Sequence, residues 1–375
     1  MATLGCGQYE VYFKSRGGDV FICRALNLTE VTWGRKLNDT SEASVTFSLR
    51  GLEGDCCDCV SALNPWEHEM SIYRDGEEIW CGPITGGELN QEAASVRFDA
   101  KDLSTWFDRR WVEIFGDDVE FEEVDITEVF DWLIAHAYFK DPWNMAWYFN
   151  TKLGIPMDRV YIAYSKPDRW GGVYPMVGAE LRDLTKSGID YTVVRRNMLA
   201  GDLRDSTAIS GRILDKHWAK LPNIPIVGTT MATEVAVGGG NSGYYGFYDE
   251  QMWIERPYDQ EREQFGLLQY FEAAPDLDEA ETTATPNAVT QRAYNIRELR
   301  KAPYEYIKGG DLSAEAPFTF DQLIPGNYFR VDLNQSCRQV ESTYLLTGLT
   351  VTYTAEGETI SPELVPTGSE DLRGE

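Results

Sequence analysis

Two blocks of period-two alternation, at opposite ends of a 375-residue chain, constrain the fold more than any other feature. The clearest piece is "EMSIYRDGEEIWCGPI". There Met70, Ile72, Ile79 and Trp80 flank an Asp75–Gly76 turn, the dipeptide that reaches positive φ at little cost. "YEVYF" and "DVFICRAL" read as an earlier hairpin around the "SRGGD" turn, and "TEVTWGRKLNDTSEASVTFSL" as another, turning at Asn38–Asp39–Thr40. "ASVRFDAKDLSTWF" adds a strand and a helical turn. Roughly six or seven strands in the first part of the chain predict an antiparallel barrel or sandwich. Strand patterns return in "FTFDQLIPGNYFRVDL", "STYLLTGLTVTYTAEG" and "ETISPELVP". A proline-containing turn enters a strand in both blocks ("LNPWEHEMSIY" and "LIPGNYFRVDL"), a weak internal echo.

Between the blocks the periodicity changes. "DITEVFDWLIAHAYF" predicts a helix: Asp125 is placed as N-cap with Glu128 three residues on, a capping-box arrangement, and Val129, Phe130, Leu133, Ile134 and Ala137 form one stripe. "MVGAELRDLTKSGIDYTVVRR" reads as a helix to Ser187, a stop at Gly188, then a strand. "PWNMAWYF" is loop-like, residues 238–248 are Gly-rich, and residues 272–290 read as an acidic exposed loop. Ala293, Ile296 and Leu299 share one side of a further helix. The resulting division is a β domain over 1–112, a mixed α/β domain over 113–200, an irregular α+β insertion over 201–300, a second β segment over 301–366 and a tail over 367–375. The expected fold class is mainly β with α+β insertions.

Composition narrows the functional classes. The chain carries 61 acidic and 34 basic residues, a formal net charge of −27, so its surface repels phosphate rather than gripping it. No apolar run approaches the roughly 20 residues that span a bilayer, and the first residues lack the pattern of a signal peptide. This predicts synthesis in a cytoplasm with thiols kept reduced; the odd number of cysteines, seven, also speaks against a disulfide framework.

"GDCCDC" concentrates three of those cysteines. A zinc site of Cys56, Cys59, Cys81 and His68 is one reading, but structural zinc usually takes two Cys pairs or a pair with two His. A redox pair would need a strand–turn–helix setting that these hairpins do not offer. The favoured reading is a short helix capped by Asp55, with Cys56, Cys59, Val60 and Leu63 on one apolar face. His68, His136 and His217 are far apart, no G-x-S-x-G elbow occurs, and the Gly-rich stretch has no lysine of a phosphate loop. No pair among the many carboxylates has a recognisable glycosidase context. These observations predict no catalytic centre, no cofactor and no specific nucleic-acid binding. Aromatics at Trp143, Trp147, Tyr244 and Tyr245 could stack on sugars, as in an adhesin, or form interface core.

Three stretches, "WGRKLNDTSEASVTF", "LNPWEHEMSIYRDGEEIWCGPI" and "VRFDAKDLSTWFDRR", together with "ELRDLTKSGIDYTVV" and the terminal strands, carry a resemblance. The chain resembles the minor tail proteins of long-tailed actinobacterial phages, and through them the hub of baseplates and tail tips. The "YRDG-x-x-x-W-x-GPI" hairpin is the most specific of these signals, and residues 200–290 contribute none. The resemblance implies two tail-tube-like β domains per chain and a homotrimer that continues a sixfold tube and adapts it to a threefold tip. It implies a distal tail protein or tail tube on one side, tail-tip or fibre proteins on the other, and a tape measure protein in the lumen. It implies a virion component, assembled in the host cytoplasm, with no stable membrane insertion. A DNA-conducting lumen would be lined by acids, for which the strand-borne Glu88, Glu92, Asp99, Asp332 and Glu341 are the candidates.

Overall fold

In the computed structural model the described residues are 4–5, 7–50, 55–114, 117–149, 152–161, 175–204, 209–229, 231–239, 252–255, 259–274, 288–300, 304–305, 307, 309–334 and 339–366. The first block forms β1 (Tyr9–Ser15), β2 (Phe21–Arg24), β3 (Leu28–Lys36), β4 (Glu42–Ser48), α1 (Asp55–Ala62), β5 (His68–Arg74), β6 (Glu77–Asn90), β7 (Ser95–Lys101) and a 3₁₀ helix, Leu103–Arg109. Asp75 and Gly76 both have positive φ, 53° and 84°, as the tight β5–β6 turn requires. Alternation then buries Met70, Ile72, Ile79 and Trp80.

The middle of the chain forms β8 (Val119–Asp125), α2 (Ile126–Lys140), β9 (Ala146–Phe149), β10 (Pro156–Tyr161), α3 (Val177–Thr185), β11 (Asp190–Val194) and β12 (Asn197–Gly201). All five predicted stripe residues of α2 are buried. Gly188 has φ +110° and ends the α3 segment. Two local expectations fail. "PWNMAWYF" is not a loop: its second half is β9, which pairs in parallel with β12 because a neighbouring strand satisfies its backbone. The capping box is replaced by a different cap. Asp125 accepts from the Thr127 amide at 2.9 Å and from the Gly154 amide at 2.6 Å, while Glu128 pairs outward with Lys152.

That cap makes a pH prediction. Burial pushes the Asp125 carboxyl upward, but hydrogen bonds from Thr127 and Gly154 outweigh it and hold the group below its ordinary range. A depressed folded value means that the stabilisation is full above the unfolded value of about 3.9 and is lost as pH falls through the folded one. Asp125→Ala should therefore cost about 1–2 kcal/mol at pH 7 in urea melts, and wild type and variant should converge in strong acid.

The remainder comprises β13 (Ile209–Leu214), β14 (Trp218–Lys220), β15 (Ile226–Val227), β16 (Glu234–Gly239), β17 (Met252–Glu255), α4 (Asp259–Phe265), β18 (Gln269–Ala274), α5 (Ala288–Arg300), β19 (Tyr304–Glu305), β20 (Asp311–Leu312), β21 (Tyr328–Leu333), β22 (Val340–Thr354) and β23 (Gly357–Pro366). The fold is mainly β. Its centre is a thirteen-stranded sheet in the order β14-β20-β23-β22-β3-β4-β7-β6-β5-β1-β2, with β21 on β22 and β13 on β21. The two ends of the chain thus share one sheet, joined by β3 and β22 in register from Lys36↔Gly348 to Glu30↔Thr354. β13 and β14 come from the span read as an irregular insertion, and β13 runs parallel to β21.

One core fills the large sheet, from Val11, Phe13 and Trp33 to Phe329, Val351 and Leu364. A second core lies under α2, α3 and the 3₁₀ helix, around Trp106, Phe130 and Leu181. No helix among the described residues is long and apolar enough to cross a membrane.

The cysteine expectation is corrected in part. Cys59 is buried, as predicted, but it is disulfide-bonded to Cys23 of β2. The two lie 36 residues apart in sequence, and only the packing of α1 against β2 brings them together. The side chains of Cys56 and Cys57 lie outside the described residues.

Candidate functional site

The seam between the two ends of the sheet is built from alternation. In β3, Val31, Trp33 and Arg35 point into the core, while Glu30 and Thr32 point away from it. Cross-strand pairing propagates this outward face. Glu30 lies opposite Thr46 and Thr354, Thr46 opposite Arg97, and Arg97 opposite Glu88. Glu42 lies opposite Lys101, Ser44 opposite Asp99, and Thr350 opposite Ser361. One polar face therefore runs across β6, β7, β4, β3, β22 and β23. Its charged members are the five acids Glu30, Glu42, Glu88, Asp99 and Glu363 against the three bases Lys36, Arg97 and Lys101. Arg97 is paired on the face with Asp99 at 2.9 Å and Lys101 with Glu42 at 3.3 Å, while Lys36 pairs with Asp39 at 3.3 Å, so the face keeps an acidic excess.

Behind that face the seam is locked by a buried clasp. Arg74, the arginine of "YRDG", meets Glu358 in a fork: Nε to Oε1 at 2.9 Å and Nη2 to Oε2 at 3.0 Å. The Glu358 side chain has no exposed surface. The Gly5 amide donates to it at 2.7 Å, and the Tyr9 hydroxyl donates as well. Burial, reinforced by the Glu358 charge, pushes the Tyr9 hydroxyl far up, so it remains a donor. Arg35, 1% exposed, donates to the carbonyls of Phe320 at 2.8 Å and Leu323 at 3.3 Å and lies against the Trp33 ring. Burial, with Arg195 nearby, pulls its guanidinium down to about 10, which leaves it charged at neutral pH. The segment before β21 is thus gripped from the first block of strands.

The proposed zinc set does not assemble. Cys59 is oxidised, Cys81 sits in the second core with its thiol pushed up by burial, and the His68 Nδ1 accepts from the Asn64 amide at 3.1 Å. Among the described residues no group of three or more His, Cys, Asp or Glu could hold a metal ion. His136 and His217 each accept a backbone hydrogen bond, from Glu113 and Leu214.

Trp143 is neither an exposed stacking ring nor interface core of the free chain. It is 1% exposed and packs against Trp106, Phe107 and Tyr138, because three further aromatic rings converge there. Trp147 is half-buried, its indole donating to Asp131 at 2.7 Å. Tyr244 and Tyr245 lie outside the described residues. Of the five acids expected on strands lining a lumen, Glu88 is exposed on β6, Glu92 is exposed but sits in the β6–β7 turn and not on a strand, and Asp99 on β7 is half-buried. Glu341 is exposed and paired with Arg330. Asp332 is a correction: it is 4% exposed and pairs with Arg212, with Arg330 at 3.7 Å, so it faces those arginines instead of open solvent. Glu30, Glu42 and Glu363 lie on the same polar face as Glu88 and Asp99, and the alternation in "LTEVTWGRK" already sets Glu30 opposite in sense to Val31 and Trp33.

No family model matches the chain, and no curated protein matches it in sequence. Solved structures do. The fold is similar to a 43 kDa tail protein of prophage MuSo2 from Shewanella oneidensis, at 10% identity and TM-score 0.64 over 96% of this chain and 100% of that one. It is similar to a tail protein from Neisseria meningitidis, at 10% identity and TM-score 0.62 over 96% and 98%. A prophage tail protein from Listeria monocytogenes matches at 12% identity and TM-score 0.57 over 94% of each chain. At these identities the likeness is one of fold.

Proposed function

We propose that the chain is a structural component of a phage tail tip, a hub in which three copies continue the tail tube and adapt it from sixfold to threefold symmetry. The observation that carries this reading is the acidic polar face shared by strands from both ends of the chain, on a fold similar over nearly its full length to three tail proteins. Turned toward a lumen, Glu30, Glu42 and Glu88 would repel phosphates and let DNA pass without sticking. The reading assigns the chain no catalytic centre and places it in the virion. Its neighbours would be a tail-tube or distal tail protein on one side and tip or fibre proteins on the other, with the tape measure protein inside. An actinobacterial, long-tailed phage as the source rests on the sequence resemblance alone.

The test is stoichiometry. Native mass spectrometry of tail tips assembled with this chain should give three copies, or a multiple of three. A tip holding one, two or four copies would overturn the hub assignment.

A further inference from the structure

We propose that Cys23 and Cys59 form a redox staple, open while the chain folds in a reducing interior and closed afterwards by a low-molecular-weight disulfide of the glutathione type.

The two cysteines sit on elements that share one core. Cys23 is placed by the β1–β2 ladder, opposite Phe13, and Cys59 and Leu63 are buried in the first core, against which Ile22 and Cys23 also pack. The bond therefore joins two elements that also pack against each other. Its location is also selective. Among the described residues β2 is the last strand of the large sheet and pairs only with β1, and its short ladder is interrupted by a register shift between Phe13 and Lys14. Phe21 and Arg24 are exposed, and Cys23 between them is half-buried, within reach of a small oxidant. Cys81, by contrast, is 1% exposed in the second core and is shielded from the same chemistry.

The chemistry balances as an exchange. The thiolate of one cysteine attacks the small disulfide, forming a mixed disulfide and releasing one small thiol. The second cysteine attacks that mixed disulfide, forming Cys23–Cys59 and releasing the other small thiol. The protein pair is oxidised by two electrons, the small disulfide is reduced, and the two protein protons end on the released thiols. The product ties α1 to the β1–β2 hairpin. The turn of that hairpin is itself a joint. Arg16 pairs with Asp141 at 2.6 Å, and the Gly17 amide donates to buried Glu69 at 2.7 Å. Closing the staple stiffens the element that links the large sheet to the α2 unit.

The test uses the full chain, purified in reductant and then exposed to oxidised glutathione. Alkylation with peptide mapping should recover Cys23 joined to Cys59, and Cys81 should label only after denaturation. Hydrogen exchange over Phe21–Arg24 and Asp55–Ala62 should slow about ten-fold or more on oxidation. Cys23→Ser should keep the native circular dichroism and lose that difference. Three results would overturn the proposal: Cys59 joined to a different cysteine, equal exchange in both redox states, or a reduced chain without native circular dichroism. Each readout is taken on the isolated chain, so the staple and the tail-tip reading fail independently.

Discussion

Arg74→Ala should destabilise the chain by about 3–5 kcal/mol, because it strands the Glu358 carboxylate in a site with no exposed surface. The loss is larger than that of an exposed ion pair, typically below about 1 kcal/mol, since water cannot replace the missing partner. Glu358→Ala should cost less, because the guanidinium, although its side chain is only 4% exposed, keeps its pairing with Asp75 at 3.0 Å. Replacing both with apolar residues, Arg74→Met with Glu358→Leu, should recover much of the stability, because neither charge is then left unpaired. Urea melts of the two single variants and the double variant measure the coupling. Additive losses would show that the clasp contributes little beyond packing. The Tyr9 and Gly5 donors also converge on Glu358, so the single Glu358 change should loosen the start of β1 as well.

The second large effect is expected at Gly82, in the "GPI" of the same hairpin. A Cβ there would sit 1.8 Å from the Lys101 carbonyl oxygen and 2.9 Å from the Asp102 Cα. Both obstacles are backbone, so no side-chain rotation relieves them. Displacing Asp102 also disturbs a fully buried carboxylate that accepts from the Ser41 amide at 2.5 Å and hydroxyl at 2.6 Å, and from the Ser104 amide at 2.9 Å and hydroxyl at 2.6 Å. Burial already pushes that carboxyl upward against these four bonds. Gly82→Ala should therefore cost about 3 kcal/mol or more. Gly86→Ala is the matched comparison: the same strand, with nothing near the added atom, and an expected cost below about 1 kcal/mol. Equal losses at the two positions would refute the steric account.

These two residues also explain the hairpin motif physically. Arg74 anchors the opposite end of the chain, Asp75 and Gly76 make the turn, and the Trp80 indole donates to Ser41 at 3.2 Å. Gly82 admits the Lys101 backbone. Only the turn was legible as such, because positive φ is a property of the dipeptide itself. Glu358, Ser41 and Lys101, which Arg74, Trp80 and Gly82 meet, are remote in sequence. The α2 stripe was readable for the same local reason, since one helix face collects residues three and four apart. Trp143 was misjudged because burial of a ring depends on what converges on it, and Trp106 and Phe107 arrive from another segment.

By itself, then, the sequence determined the strands and turns of the first block, β21 to β23 of the second, the two helices of the middle unit, and the acidic balance of the surface, whereas "FTFDQL", read as strand, forms turns before β21. Each follows from periodicity, turn chemistry or composition, which act over a few residues or over the chain as a sum. The tertiary structure alone decided that the two blocks share one sheet through β3 and β22, that Arg74 finds Glu358, and that Cys59 finds Cys23. Those pairings join residues 36 to about 320 positions apart. No local preference encodes them. They are selected by the simultaneous burial of two cores, which only one arrangement of all the strands provides.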